Sequence, residues 1–293
     1  MQMFSLAVAK IELLYDGPDV AVVAALGTGF FYGHDSQAYL VTNWHNVTGL
    51  HPETGRCLHS KGLIPNVLRL HYKEWHDKEK TLVRSQQVDL PLYIDDKATW
   101  FEHSSRAAVD GVALPIAKPA EWANVYINDI NQEQRLEAEA GMDCFILGFP
   151  EGLSGAALTP FWKRGAIAAE PYLQQPYLID SATRRGMSGS PVVIRHNGYL
   201  GFGGGTMTGA DVIGTSERFV AIYSGRIGDD ELGGQLGRAW QANVLTDILT
   251  QATSGRHPLR NQSAAEASGQ VRVESRRSVR FTSESARDSA LEQ

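Results

Sequence analysis

The chain of 293 residues has only two cysteines, no long uninterrupted apolar run and fewer basic than acidic residues. Cys57 and Cys144 cannot build a disulfide framework, and two free thiols in a reducing compartment are the simplest interpretation. A membrane span needs about 18 consecutive apolar residues, and no stretch approaches that length. The net charge of −6 argues against a nucleic-acid partner, because phosphate binding needs a positive field.

The N-terminal segment does not have the pattern of a secretory signal. It has no basic residue before its short apolar stretch, and Lys10 and Glu12 then interrupt that stretch. We therefore expect a soluble, cytoplasmic protein without a membrane partner.

Short apolar runs rich in Val, Ile, Phe and Tyr, bounded by turn residues, predict strands over most of the first 225 residues. The predicted strands are residues 20–32, 38–41, 67–72, 112–116, 144–147, 165–168, 177–179, 191–194 and 219–223. Because no helical pattern separates them, the sequence predicts an all-β fold, an antiparallel sandwich or a pair of barrels.

The C-terminal part of the chain has a different pattern. Apolar residues recur every three or four positions over residues 236–249, which predicts an amphipathic helix, and the acidic residues 229–231 suit its N-terminus. Residues 252–293 contain few large apolar groups, so we predict a disordered polar tail. Whether its arginines bind a partner is left open.

Three short stretches contain the residue types that nucleophilic catalysis needs. His45 ends the stretch Tyr39-Leu-Val-Thr-Asn-Trp-His45, Asp110 precedes an apolar strand, and Ser188 lies in Gly186-Met-Ser188-Gly-Ser-Pro. A serine hydroxyl needs a base to take its proton, and that base needs a third group to orient it. We predict His45 as the base, Asp110 as its partner, and the N–H groups of Gly186 and Ser188 as an oxyanion hole.

Two rival interpretations have little support in the sequence. A lipase-type nucleophile elbow needs a glycine where Ser190 stands, and its histidine would have to be His196 or His257. No paired-cysteine or HExxH spacing supports a metal site, so no metal or cofactor is predicted. The histidines considered for such a site are His51, His59, His71 and His76.

Taken together, the three motifs resemble those of the trypsin-like serine peptidases of the chymotrypsin fold, and most closely the bacterial members with few disulfides. The His45 stretch resembles the signature Leu-Thr-Ala-Ala-His, and Asp110-Gly-Val-Ala-Leu resembles Asp-Ile-Ala-Leu. The Ser188 stretch matches Gly-Asp-Ser-Gly-Gly-Pro with two changes. The resemblance covers residues 4–250 and implies two packed antiparallel β-barrels and a C-terminal helix. The implied parts are residues 1–127 with His45 and Asp110, a connection at 128–141, and residues 142–251 with Ser188 and the helix.

The resemblance implies a serine endopeptidase that cleaves polypeptides through an acyl-enzyme. The implied substrate-binding residues are Ala182, Thr183, Tyr223, Ser224 and Gly225. Ala182 would lie at the floor of the pocket for the P1 side chain, Thr183 would offer a hydroxyl nearby, and residues 223–225 would form its wall. The floor has no carboxylate, and two arginines at 184–185 add positive charge. We therefore expect an uncharged or apolar P1 residue, with an acidic one as the second possibility.

Two departures from the family pattern bear on this interpretation. Met187 stands where secreted members have the aspartate that pairs with a new N-terminus, so that route of activation is absent. Gly111 replaces a branched apolar residue after Asp110, which leaves other carboxylates as candidates. These are Asp89, Asp95 and Asp96. The alternative function is a catalytically inactive binding or scaffold module, but the presence of all three catalytic residue types favours an enzyme.

Overall fold

The computed structural model describes residues 1–17, 21–105, 109–173, 175–201, 209, 211–227 and 235–256. Within these residues the helices are α1 (Met3–Ala7), α2 (Trp44–Thr48) and α3 (Val244–Gln251). The first nine strands are β1 (Val8–Asp16), β2 (Ala21–His34), β3 (Gln37–Thr42), β4 (Val67–Trp75), β5 (Val83–Pro91), β6 (Tyr93–Ile94), β7 (Lys97–Ala98), β8 (Phe101–Glu102) and β9 (Val112–Ile116). The remaining strands are β10 (Asp143–Gly148), β11 (Phe161–Ile167), β12 (Tyr177–Asp180), β13 (Pro191–Leu200), β14 (Val212–Arg226), β15 (Leu236–Gln241) and β16 (Thr253–Ser254).

The first β unit is an eight-stranded antiparallel sheet with the order β16-β8-β9-β3-β2-β1-β4-β5. Strand β1 was not predicted, because Lys10 and Glu12 interrupt its apolar run. Their spacing has a period of two, so Ile11 and Leu13 point into the core while the two charges share the opposite face. The ammonium of Lys10 lies 3.1 Å from a carboxylate oxygen of Glu12.

The second β unit is a closed barrel in which six strands follow the order β10-β11-β12-β15-β14-β13. Each predicted strand is present, and β9 has the predicted bounds. The all-β fold class with antiparallel β units and a C-terminal helix is therefore confirmed. Within the described residues, hydrogen bonding closes the second unit into a ring, whereas the first has edges at β5 and β16.

The predicted helix at 236–249 is correct only in its second half. Residues Leu236–Gln241 form β15, which pairs with β12 and β14 and completes the barrel. In this strand Gly237 and Ala239 face inward with a period of two, so pairing with two neighbours outweighs the helical spacing of the apolar residues. Helix α3 follows and buries Val244, Leu245, Ile248 and Leu249. The acidic residues 229–231 lie outside the described residues.

The first residues of the predicted tail are part of the described structure. Residues 253–254 form β16, which pairs with β8 at the edge of the first sheet, and the Gly255 N–H donates to the Trp100 carbonyl. The rest of the predicted tail, residues 257–293, lies outside the described residues. The connection at 128–141 starts with a 3₁₀ turn at Ile127–Asp129 and has no α-helix. It is held along β14, where the Phe219 N–H donates to Gln132 Oε1.

Three clusters of buried side chains stabilise this arrangement. One fills the first unit around Leu40 and Trp100, and one fills the barrel around Ile146 and Tyr223. The third lies between the two units and contains side chains from both of them and from α3, including Phe30, Leu147, Ile222, Leu245 and Ile248. Helix α3 thus packs its apolar face against both units, and this burial of apolar surface stabilises the seam between them.

The seam predicts a large effect for one substitution in α3. Ile248→Ala should lower the free energy of unfolding by about 2–5 kcal/mol, because it removes a fully buried side chain from a packed cluster. Chemical denaturation measures this change. The matched control is Ile213→Ala, whose side chain is 69% exposed and whose loss should cost less than about 0.5 kcal/mol. Equal effects of the two substitutions would contradict the role given to α3.

Candidate active site

His45 is positioned by the end of β3 and the start of α2. Strand β3 is apolar and ends at Thr42, and the short helix then presents His45 half-buried at its first turn. The side-chain amide of Asn43 donates a hydrogen bond of 2.7 Å to the main-chain carbonyl of Asp110. This bond ties the start of α2 to the segment that leads into β9.

Asp110 holds His45 through two hydrogen bonds. The His45 main-chain N–H donates to Oδ1 of Asp110 at 2.9 Å, and Nδ1 of the imidazole lies 2.6 Å from Oδ2. Asp110 is only 3% exposed. With Nδ1–H donating to the carboxylate, Nε2 is the ring nitrogen that faces away from Asp110 and is free to accept a proton.

The environment of Asp110 favours its ionised form. Burial alone would raise the pKa of this carboxyl, but the charge of His45 and hydrogen bonds from His45 and Ser224 outweigh burial. The pKa of Asp110 is therefore lowered from its ordinary value. An ionised, buried carboxylate beside the imidazole stabilises the imidazolium that forms when His45 takes a proton.

The sequence analysis missed the part that Ser224 plays in this arrangement. Ser224 was predicted to bind substrate, but its hydroxyl donates to Oδ2 of Asp110 at 2.5 Å. Ser224 lies at an irregularity of β14, between the pairs that Tyr223 and Gly225 make with β15. No local sequence signal links positions 110 and 224, since the contact depends on how the two β units pack.

Two successive tight turns, each with a glycine as its third residue, build the loop that contains Ser188, and Ser188 is the second residue of the second turn. The Met187 N–H donates to the Arg184 carbonyl and the Ser190 N–H to the Met187 carbonyl. Gly186 and Gly189 each have a φ of +86°. Type II turns require this left-handed conformation at the third residue, and glycine adopts it without strain. The two turns therefore present Ser188 at the apex of the loop before β13.

The Ser188 loop is fastened to the first β unit. The Thr28 N–H donates to the Ser188 carbonyl at 2.9 Å, and the side-chain amide of Asn46 donates to the same oxygen at 3.1 Å. The Thr28 hydroxyl donates to the Gly186 carbonyl at 2.7 Å. Sequence reasoning missed Thr28 and Asn46, because each contacts a loop more than 140 positions away in the chain.

The N–H groups of Gly186 and Ser188 have no acceptor in the part of the chain that the structure describes. The carbonyl of Arg185 accepts a hydrogen bond of 2.7 Å from the Glu151 N–H. In a trans peptide the C=O and N–H point in opposite directions, so the Gly186 N–H points away from Glu151. An oxyanion hole needs N–H donors that no other acceptor occupies, and these two donors meet that requirement.

His45 and Ser188 share a groove. The β2 groove has a volume of about 810 Å³ and is lined by residues 23–26, parts of residues 58–65, Glu151, Arg185, Gly186, His45 and Ser188. No hydrogen bond joins the Ser188 hydroxyl to His45 within the described residues. In known serine hydrolases the corresponding contact is often long without substrate and tightens in the complex.

The pocket predicted for the P1 side chain is corrected by the structure. Tyr223 is only 1% exposed, and its hydroxyl lies 2.5 Å from the hydroxyl of buried Thr183. Its ring packs so closely on Gly237 that a Cβ there would lie 2.4 Å from it. Ala182 is exposed instead of forming a floor. The Tyr223 side chain thus fills the barrel interior and forms no open wall, whereas the backbone at Gly225 lies close to the Ser188 hydroxyl.

The alternative carboxylates and the second serine lie elsewhere. Asp89 pairs with Arg69 on the β4–β5 hairpin, and Asp95 and Asp96 form the turn between β6 and β7. The Ser190 hydroxyl is buried against Gly148. None of these groups reaches His45, so Asp110 is the carboxylate that the structure brings to the imidazole.

Three other sequence features have simple structural roles. Met187 is fully buried in the barrel core. Cys57 and Cys144 are free thiols, and burial raises the pKa of Cys144 to about 12.

The described part of the chain holds no group of three or more possible metal ligands, and it has no helix long and apolar enough to cross a membrane. Cytoplasmic location stays a prediction.

Comparison with known proteins assigns no family to this chain. No family model and no curated protein matches the chain. Among solved structures it is similar to the crystal structure of Rv3671c from M. tuberculosis H37Rv, a serine-to-alanine mutant in an inactive form. The TM-score is 0.43 and the identity 15%, over 85% of this chain and 87% of that chain. At this similarity the comparison carries no argument about activity, which has to come from the geometry of the site.

The buried carboxylate predicts a specific pH dependence of stability. The pKa of Asp110 is lower in the folded than in the unfolded chain. The contribution of this carboxylate to the free energy of unfolding is therefore fully present above the unfolded pKa of about 3.9. It is lost as the pH falls through the lower folded value. Asp110→Asn should therefore lose less unfolding free energy than the wild type between about pH 5 and pH 2. Denaturation curves across this range test the prediction, and parallel profiles would contradict it.

Proposed function

We propose that this chain is a serine endopeptidase that hydrolyses polypeptides through an acyl-enzyme. The observation that carries the proposal is the pairing of His45 with the buried carboxylate of Asp110 in the groove that also contains Ser188. A surface histidine with a structural role needs no buried, ionised partner. A general base does, because its charged form must be stabilised.

The proposed chemistry uses the three side chains in turn. His45 takes the hydroxyl proton of Ser188 as the oxygen attacks the peptide carbonyl carbon, and the N–H groups of Gly186 and Ser188 stabilise the negative oxygen that forms. His45 then donates its proton to the leaving amine, which departs and leaves an ester on Ser188. Water repeats the sequence and releases the acid.

The acyl part of the substrate is proposed to lie along Ser224 and Gly225. Gly225 lies so near that a Cβ on it would be 3.9 Å from the Ser188 hydroxyl, so a bound chain can approach the backbone there. The space behind this segment is taken by the ring of Tyr223. A side chain at P1 therefore has little room, and the expected apolar preference narrows to small residues.

The alternative function is a binding or scaffold module that has lost catalysis. It needs no free oxyanion-hole donors and no ionised carboxylate behind His45. A fluorophosphonate probe distinguishes the two, because it reacts only with an activated serine. A covalent adduct on Ser188 of the folded protein supports the enzyme, and its absence supports the scaffold.

The mechanism predicts graded losses of activity. Ser188→Ala and His45→Ala should each lower the rate of peptide hydrolysis by about 10⁴–10⁶-fold, and the double variant should be no worse, because the two groups act as a unit. Asp110→Asn should cost less than either, since base and nucleophile remain. Initial rates on a fluorogenic peptide library measure these losses. The control, exposed Ser154→Ala, should keep wild-type rates, and full activity in either single variant would contradict the mechanism.

The buried Tyr223 ring predicts the P1 preference. Peptides that differ only at P1 should be cleaved after Ala, Gly or Ser in preference to Lys, Arg, Leu or Phe, as measured by mass spectrometry of the products. Tyr223→Ala should extend cleavage to larger apolar P1 residues, whereas Tyr223→Phe, which keeps the ring, should not. Dominant cleavage after Lys or Arg by the wild type would show that the space behind Gly225 is open and acidic.

A further inference from the structure

A second cavity lies along the barrel strands, away from Ser188. It has a volume of about 390 Å³, which is within the range of small-molecule sites, and we call it the distal cavity. It is lined by residues 137–138, 171–172, 175, 177, 218–220 and 241–243. Val220 lies five positions before Gly225 along β14, which corresponds to about 16 Å of extended strand. The distal cavity is therefore separate from the groove that contains Ser188.

Two opposite charges line the distal cavity. The guanidinium of Arg218 donates a hydrogen bond of 3.0 Å to the main-chain carbonyl of Leu136, and the next residue in the chain is the exposed Glu137. In the part of the chain that the structure describes, no ion pair includes Arg218 or Glu137. A guanidinium carries five N–H donors, so the Leu136 carbonyl leaves several of them for a ligand.

The phenol of Tyr177 shows that the two charges act on the same part of the cavity. Tyr177 is half-buried, and burial raises its pKa. The charge of Arg218 opposes this rise, and the charge of Glu137 adds to it. Because the interaction between charges weakens with distance, both charged groups lie near this phenol. A small ligand bound beside Tyr177 can reach both of them.

This pair of charges favours a ligand that carries a negative and a positive group close together. Glu137 would repel a simple anion, and Arg218 would repel a simple cation. In a free amino acid the carboxylate and the ammonium are attached to the same carbon atom. Such a molecule can satisfy both charges, and a guanidinium binds a carboxylate through two parallel hydrogen bonds.

Most of the other groups in the distal cavity bind one another or are apolar. The Gln175 side chain donates to the side-chain carbonyl of Gln241, whose amide donates to the main-chain carbonyl of Pro171. The Tyr172 side chain is 79% exposed and offers an aromatic ring to a ligand. An apolar side chain that covers this ring removes apolar area from water, which stabilises the complex.

We propose that the distal cavity binds a free amino acid with an apolar side chain. Its carboxylate pairs with Arg218, its ammonium faces Glu137, and its side chain packs on the ring of Tyr172. The site is independent of the proposed function, because none of its lining residues belongs to the candidate active site.

Isothermal titration calorimetry on the full chain tests the two charges with three ligands of similar shape. Leucine has both charged groups, leucinamide lacks the carboxylate, and N-acetyl-leucine lacks the ammonium. We expect leucine to bind at least about tenfold more tightly than either analogue, because each analogue loses one charge-assisted hydrogen bond. Glycine, which has no side chain to cover Tyr172, should bind severalfold more weakly than leucine.

Substitutions assign each preference to one residue. Arg218→Gln should remove the preference for leucine over leucinamide and keep the preference over N-acetyl-leucine, whereas Glu137→Gln should do the reverse. Arg218→Lys keeps the positive charge and should retain most of the preference over leucinamide. Tyr172→Ala should bring leucine close to glycine. The matched control, Glu139→Gln, removes an exposed carboxylate two positions from Glu137 and outside the cavity, so it should change none of the affinities.

Three results would overturn the inference. The first is that the wild type does not bind leucine, or binds it no more tightly than leucinamide and N-acetyl-leucine. The second is that Glu139→Gln weakens binding as much as Glu137→Gln. The third is that Arg218→Gln and Glu137→Gln each remove both preferences, because that pattern comes from loss of the cavity and not of one charge. None of these measurements involves Ser188, so each result leaves the proposed peptidase function standing.

Discussion

The position of the candidate nucleophile depends on one buried residue of the first β unit, Thr28. Its N–H binds the Ser188 carbonyl, its hydroxyl donates to the Gly186 carbonyl and accepts from the Phe149 N–H. A Cβ on Gly189 would lie 2.1 Å from the Thr28 carbonyl, so only glycine permits this approach. Because His45 belongs to the same unit as Thr28, these contacts bring base and serine to one groove.

The carboxylate of Asp110 likewise depends on contacts from both β units. Asp110 is buried at the seam between the units, where desolvation disfavours its charge and only several donors together reverse that effect. One donor, Ser224, comes from the barrel, and α3 packs behind the next residue, with Ile248 within van der Waals distance of a Cβ placed on Gly111. A Cβ on Gly111 would meet Ile222 and Ile248 at ordinary van der Waals distances of 3.6 and 3.7 Å, so nothing in the described structure requires a glycine at this position.

Much of this could be predicted from the sequence, because the relevant signals are local. Alternating apolar residues and turn residues predict most of the strands, and β9 was obtained with its bounds. The residue types at 45, 110 and 188, in that order and next to strands, were enough to choose them as the candidate base, carboxylate and nucleophile. The roles assigned to them remain proposals. Their order along the chain gave no indication of the hydrogen bond from Ser224 to Asp110, because these two residues lie 114 positions apart.

The sequence by itself determined the all-β class, the candidate catalytic residues and the glycines that the Ser188 loop requires, since each depends on residues close together in the chain. Only the tertiary structure decided that Leu236–Gln241 is a strand and that Tyr223 fills the barrel interior. The apolar residues of Leu236–Gln241 have a spacing that is compatible with a helix. These residues form a strand because two neighbouring strands, β12 and β14, pair with them. The physical reason is that strand pairing and burial are set by residues far away in sequence, which no local pattern specifies.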